Sequence, residues 1–417
     1  MTTRQADLQA RSRRINDAVQ LGIPDQVPLM LYFSYYPARQ AGLLLEEAHY
    51  NIEAWLAVNE AAILKYQPDL YLPPSGIVMT GGLVNEALDH RQIKWPGHGI
   101  SSHLPFQAVE GEYMTADEYD EFLHDPSDFT IRKFLPRVYG ALEGLSMLPA
   151  LSVMALGYST TSLFGLLASP QVAAAFEAMR KAAEEQDRWT TAYIAFQEKL
   201  EALGYPAFIG YGAVTLAPYD MIGSQMRGMR GSMLDMFRCP EKLLAAQEKV
   251  LPMLIDNAIA VCKISNTFRV FIPLHRGADG FMSIEQFETF YWPQLKRVVE
   301  GIVDAGLTPW ILFEGHYDQR LEYLRELPEG KVVCWFENTD VIKAKEVLGD
   351  VTCIAGGMPM SLLAGGTLQQ VRERTIAVIE KAGKDGGFIM CSNTAMDDAK
   401  PELVKVWIDT TREVGGY

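Results

Sequence analysis

The chain has 417 residues, 48% of them hydrophobic, enough to bury a large core in one big α/β domain or two smaller ones. Its 37 basic side chains against 52 acidic ones leave a net charge of −15, which argues against nucleic acid, whose phosphates require basic surfaces. No apolar leader core opens the chain and no run of about 18 apolar residues follows, so the expectation is a cytoplasmic protein that is neither exported nor membrane-spanning.

The opening MTTRQADLQARSRR reads as a helical extension, and QVPLMLY (26–32) and PDLYLPP (68–74) are the first strand candidates. Residues 75–147, rich in Gly, Pro, His and acidic side chains, read as an insertion over the site, because connections of that length are more often lids or binding surfaces than idle links. LPALSVMALG (148–157) supplies a third strand candidate, and residues 171–203 are strongly helical. The run RGMRGSMLDMFRCPEKL (227–243) stands out without an assigned role; its arginines suit a partner or a phosphate.

From residue 268 the pattern becomes regular. Strand runs FRVFIPL (268–274), TPWILF (308–313), KVVCWF (331–336), VTCIAG (351–356) and GGFIMC (386–391) alternate with helix patterns at 283–306, 320–327, 340–349, 367–383 and 401–415. Repeated βα units specify a parallel sheet covered by helices. Ser283 with Gln286, and Thr367 with Gln370, have capping-box spacing, while Gly306 and Gly383 fall where a left-handed C′ residue is wanted. With the three earlier candidates the strands number eight, which predicts a single (β/α)8 barrel of the TIM type over residues 1–417.

In such a barrel the C-terminal ends of the strands point side chains into one shared mouth. TPWILF runs into Glu314-Gly-His316, and GGFIM runs into Cys391. A carboxylate, an imidazole and a thiolate meeting there suit Zn²⁺, which accepts O, N and S ligands and keeps a fourth position open in catalytic sites; the alternative is three ordinary residues at strand ends. His275 after the strand 268–274 is read as a substrate contact, an alternative ligand or a structural histidine. Glu337 after KVVCWF is an active-site acid or a helix-entry residue, and Tyr158 meets substrate or caps the core. The five cysteines lack any framework spacing and fit reduced thiols; Cys334 and Cys353 sit in apolar runs where burial is the default.

The stretches GADGFMSIEQFETFYWPQLKRVVEGIVDAG, TPWILFEG, DVIKAKEVLGDVTCIAGGMPMSLLAGGTLQQV and GGFIMCSNTAMDDAKPELVKVWIDTTREVG together resemble the uroporphyrinogen decarboxylase superfamily. That resemblance implies a (β/α)8 barrel and one of two chemistries, tetrapyrrole-precursor decarboxylation or methyl exchange with a corrinoid protein. The decarboxylases resemble M-R-Q-A-G-R-Y-L-P-E-Y near their start, with two arginines for substrate carboxylates. Here Arg39-Gln40-Ala41-Gly42-Leu43 keeps one arginine, and Pro73, Pro74 and Ser75 stand where the family's catalytic aspartate is expected.

The methyltransferase branch holds zinc through H-x-C and a distant Cys. Aligned on the Gly, that motif falls on Leu312-Phe313-Glu314-Gly315, with Cys391 as the distant thiolate and His316 able to replace the missing imidazole. The resemblance therefore implies a zinc-dependent methyltransferase with Glu314, His316 and Cys391 as ligands. It would exchange methyl groups between a small O-methyl compound and the cobalamin of a separate corrinoid protein, an O-demethylation; pairing of two copies is left open. A lyase of the decarboxylase type and a non-catalytic binding subunit are the alternatives.

Overall fold

Parallel strands read as continuous apolar runs because helices cover both of their faces. The computed structural model describes residues 3–150, 152–153 and 164–417. Among these, seven strands build one circuit: β1 (Met30–Leu31), β2 (Leu70–Tyr71), β3 (Arg269–Leu274), β4 (Thr308–Phe313), β5 (Val333–Phe336), β6 (Cys353–Met358) and β7 (Phe388–Ser392). β1 pairs with β2, and β3 through β7 pair each with the next, all in parallel. Single parallel links complete the ring. Leu29–Met390 joins β1 to β7, while Tyr71–Ala207 and Val214–Phe271 set residues 207–215 between β2 and β3. The links return to their start after eight positions, as in a TIM barrel.

One strand expectation is corrected. The third position belongs to residues 207–215, not to 148–157, of which 151 and 154–157 lie outside the described residues and the rest form no strand. Gly204, Pro206, Gly210 and Gly212 interrupt the true third segment, so it makes isolated links and leaves no alternating pattern to read.

Both capping boxes form as the spacing predicts. The helix expected over 283–306 is instead divided into Ile284–Gln286, a wide turn at Phe287–Tyr291 and Trp292–Asp304. Pro293, lacking an N–H and crowding the carbonyl four residues back, explains the widening. Trp292–Asp304 then buries Leu295, Val298, Val299 and Ile302 on one face, the stripe that a barrel-covering helix needs. Gly306 is left-handed at φ +78°, as expected; Gly383 is not, and the left-handed residues before β7 are Gly386 (φ +75°) and Gly387 (φ +57°).

At Gly386 a side chain would also collide, because a Cβ there would lie 2.2 Å from the Gly22 carbonyl oxygen. Gly386→Ala is therefore expected to cost upwards of about 1–2 kcal/mol, the left-handed penalty alone. A thermal melt would show a Tm drop of several degrees; an unchanged Tm would mean that the Gly22 turn gives way freely.

Residues 75–147 do not wander. They hold the helix Gly82–Leu88, a small sheet of Ile93–Pro96, Gly99–Ile100 and Gln107–Ala108, and a web in which Glu118 takes both Arg137 and Lys133. Among the described residues no helix is long and apolar enough to cross a membrane.

Candidate active site

The interior face of the barrel can be assigned from register. Paired residues in a parallel ladder share a face, and Trp335 lies opposite Leu312 and Ala355. Its ring meets Tyr32, Phe208 and Phe271 from other walls at 5.5, 6.4 and 6.2 Å between centroids. Glu314 and Glu337 each continue that inward face two residues on, just past the ends of β4 and β5. They reach the mouth side by side.

Local backbone fixes the pair. The Gly315 N–H donates to Glu337 Oε2 at 2.7 Å, so the residue after one carboxyl holds the other. Asn393 donates through Nδ2 to the Glu337 carbonyl and accepts the Gly357 N–H on Oδ1 at 2.9 Å, tying β5 to β6. Burial pushes the Glu314 carboxyl up to about 7, with the nearby charges of Glu337 and Asp220 adding to it and Arg276 opposing. Glu314 therefore keeps its proton to a much higher pH than an ordinary carboxyl.

Around this pair the mouth is acidic and aromatic. Burial, then Asp397, Glu314 and Glu337, raises the Tyr32 hydroxyl, so Tyr32 stays a neutral donor. Asp397 accepts the Tyr35 N–H at 2.9 Å. Asp220, fully buried and raised by that burial, takes the Tyr291 hydroxyl at 2.6 Å and the His275 N–H at 2.9 Å on one oxygen. The His275 ring reaches the Ser224 hydroxyl at 3.1 Å. Arg276, the cation beside Glu314, is held by Glu110 at 2.5 Å, and Arg39 is spent on Asp398 at 3.7 Å and the His103 carbonyl.

The expected metal ligands do not converge. Gly315 turns left-handed at φ +85°, and His316 beyond it is 63% exposed, with Nδ1 3.4 Å from Asp318. Cys391 faces the interior but is wholly buried, and burial pushes its thiol well up although it takes a hydrogen bond from the Gly356 backbone. Among the described residues no group of three or more His, Cys, Asp or Glu side chains is arranged to hold a metal ion. A three-ligand zinc centre does not fit this donor set as it is placed, and no step below passes through zinc. Tyr158 lies outside the described residues.

Sequence reading singled out Glu314, Glu337 and His275, which stand around the mouth, and missed Tyr32, Asp220, Arg276, Asn393 and Asp397. Tyr32 and Asn393 each follow a strand run directly, the signal that located Glu314. Asp220 gave none, because the segment before it was not recognised as part of the barrel.

The family model for uroporphyrinogen decarboxylase (URO-D) matches residues 166–414. The chain belongs to that family. A uroporphyrinogen decarboxylase from Trichodesmium erythraeum (strain IMS101) is 27% identical over 203 residues, 48% of this chain and 55% of that protein. One from Syntrophotalea carbinolica (strain DSM 2380 / NBRC 103641 / GraBd1) is 25% identical over 244 residues, 57% of this chain and 69% of its own length. The match thus spans about half of the first relative. Over its whole length this URO-D family member shares its fold with a methyltransferase from Methanosarcina mazei, at TM-score 0.59 and 13% identity, covering 97% of this chain and 98% of that one.

Proposed function

We propose that this URO-D family protein is a methyltransferase that moves a methyl group from a small O-methyl compound to a corrinoid carried by a separate protein, and that its reaction takes place at the barrel mouth. The observation that carries the reading is the Glu314–Glu337 pair. It provides a proton donor at the end of β4 in a mouth that also holds Asp220, Asp397, Tyr32, His275 and Arg276.

Breaking an O–CH3 bond leaves an electron pair on oxygen, and an alkoxide or phenoxide is a poor leaving group unless a proton arrives with it. Protonated Glu314 supplies that proton. The methyl group departs to the corrinoid, whose reduced metal provides the bonding electrons, and the oxygen leaves as a neutral alcohol or phenol. Burial, with the like charge of Glu337 adding to it, keeps Glu314 protonated, and the Tyr32 ring, packed edge-to-face on the buried Trp335, offers an aromatic contact to a methoxylated ring.

The decarboxylase reading is carried by the relatives' names, and the mouth opposes it. A polycarboxylate needs unpaired cations, whereas Glu314, Glu337, Asp220 and Asp397 crowd this site and the nearest arginines are already held by acids. The test uses purified protein, a reduced free corrinoid and a panel of methoxyarenes and methanol, followed by the corrinoid absorbance change. Methyl transfer should decline as pH rises through about 7, because the active form of Glu314 is the acid. No transfer from any donor, together with release of coproporphyrinogen from uroporphyrinogen, would reverse the assignment.

A further inference from the structure

The strand run FRVFIPL contains a single charged residue, Arg269, and β3 begins with it. Residues two apart on a strand share a face, so Arg269 points the same way as Phe271, whose ring meets Trp335 in the barrel interior. It stands on the barrel floor, at the end opposite the mouth. Arg269 is 5% exposed, its guanidinium lies 4.4 Å from the centre of the Phe268 ring, and Nη1 donates to the Ala207 carbonyl at 3.2 Å. Nε and Nη2 have no partner among the described residues, yet neither is sealed from accessible space. Burial pushes the guanidinium down to about 10, and Glu201, the acid whose charge opposes that shift, forms no ion pair with it. A buried cation in this state lacks a counter-charge.

Beside it is a cavity of 240 Å³, enclosed by the helix Thr3–Val19 and by residues at the starts of β3, β4 and β5. Its walls hold two cations, Arg269 and Lys331, and no acid, in a chain where acids outnumber bases by 52 to 37. Lys331 has no ion-pair partner among the described residues, and the side chains of Asn16, Gln20 and Thr308 in the same walls make no hydrogen bond there.

We infer that this cavity is a binding site for a small, doubly charged oxyanion of the phosphate type, held by Arg269 and Lys331. Two cations match two negative charges, whereas a monocarboxylate leaves one of them uncompensated. The unused guanidinium donors form part of the fork that grips two oxygens of one anion, and Lys331 adds a mobile point charge. The amides of Asn16 and Gln20 and the Thr308 hydroxyl supply neutral donors for the remaining oxygens. Size agrees as well. At about 30 Å³ for each water, the cavity takes a phosphate and a few waters, and nothing as large as a nucleotide.

Isothermal titration calorimetry of the full chain with inorganic phosphate, acetate and chloride at fixed ionic strength tests the inference, and its readout is independent of methyl transfer. The variants are Lys331→Glu, Arg269→Met and, as a control for overall charge, Lys405→Glu at an exposed position on the C-terminal helix. Phosphate should bind once per chain and raise the wild-type Tm by mass action, with acetate weaker and chloride without effect. Lys331→Glu should weaken phosphate by about tenfold or more, the loss expected for one bond to a charged group, while Lys405→Glu should leave it unchanged. Arg269→Met should fold and lose the phosphate-dependent rise in Tm; should it fail to fold, Lys331→Glu, at an exposed position, decides alone. Absence of phosphate binding, binding that Lys331→Glu leaves intact, or acetate binding as tight as phosphate would each overturn the site.

Discussion

Glu314→Gln should lower methyl transfer by about 10²–10⁴-fold, the usual worth of a positioned acid, while leaving the protein folded. Glutamine fills the same space and can still hydrogen-bond, but it has no proton to give. The same variant should be the more stable protein above neutral pH. Below the ordinary carboxyl value of 4.5 both folded and unfolded chains hold the Glu314 proton, and the two proteins behave alike. Between 4.5 and about 7 the unfolded chain has released a proton that the folded one keeps, so wild-type stability falls as pH rises through this window. Above it the loss reaches at most about 3 kcal/mol, and Glu314→Gln escapes it. Glu337→Gln removes the like charge beside Glu314 and should move the activity profile to lower pH. A Glu314→Gln enzyme with full activity would remove the acid from the account.

The largest effect on stability is expected at Arg227. Its guanidinium, 3% exposed, donates to Asp235 through Nε at 2.6 Å and Nη2 at 3.0 Å, to Glu112 at 2.6 Å and to the Met114 carbonyl. Asp235, equally buried, also takes the Tyr119 hydroxyl at 2.8 Å. Arg227→Leu leaves a buried carboxylate and a carbonyl without their cation, a change that costs about 3–5 kcal/mol. The urea midpoint should fall accordingly, and Asp235→Leu on top should recover part of the loss, because the uncompensated charge is what hurts. A drop below about 1 kcal/mol would mean that water reaches this network.

How much of this was legible in the sequence depends on period. The second half announces itself because β3 to β7 are continuous apolar runs, and the helices between them carry real caps at Ser283 and Thr367. The third barrel position was not legible, since four glycines and prolines break the segment around residues 204–212. At the site, the rule that strand ends carry chemistry found Glu314 and Glu337. It failed for His316, because one left-handed glycine, Gly315, turns the chain outward, and residue spacing cannot show a φ angle. Cys391 faces inward as the pattern required, but the depth that keeps its thiol protonated belongs to the packing of β6 against β7.

Transfer of an isotope-labelled methyl group tests the central claim most directly. The protein would be given a methoxyarene labelled at the methyl carbon and a reduced corrinoid, and the label followed by NMR. The account predicts label on the corrinoid, a free phenol in equal amount, and loss of both with Glu314→Gln. Label that stays on the donor across the whole panel, with wild-type protein that is folded and supplied with reduced corrinoid, would contradict it.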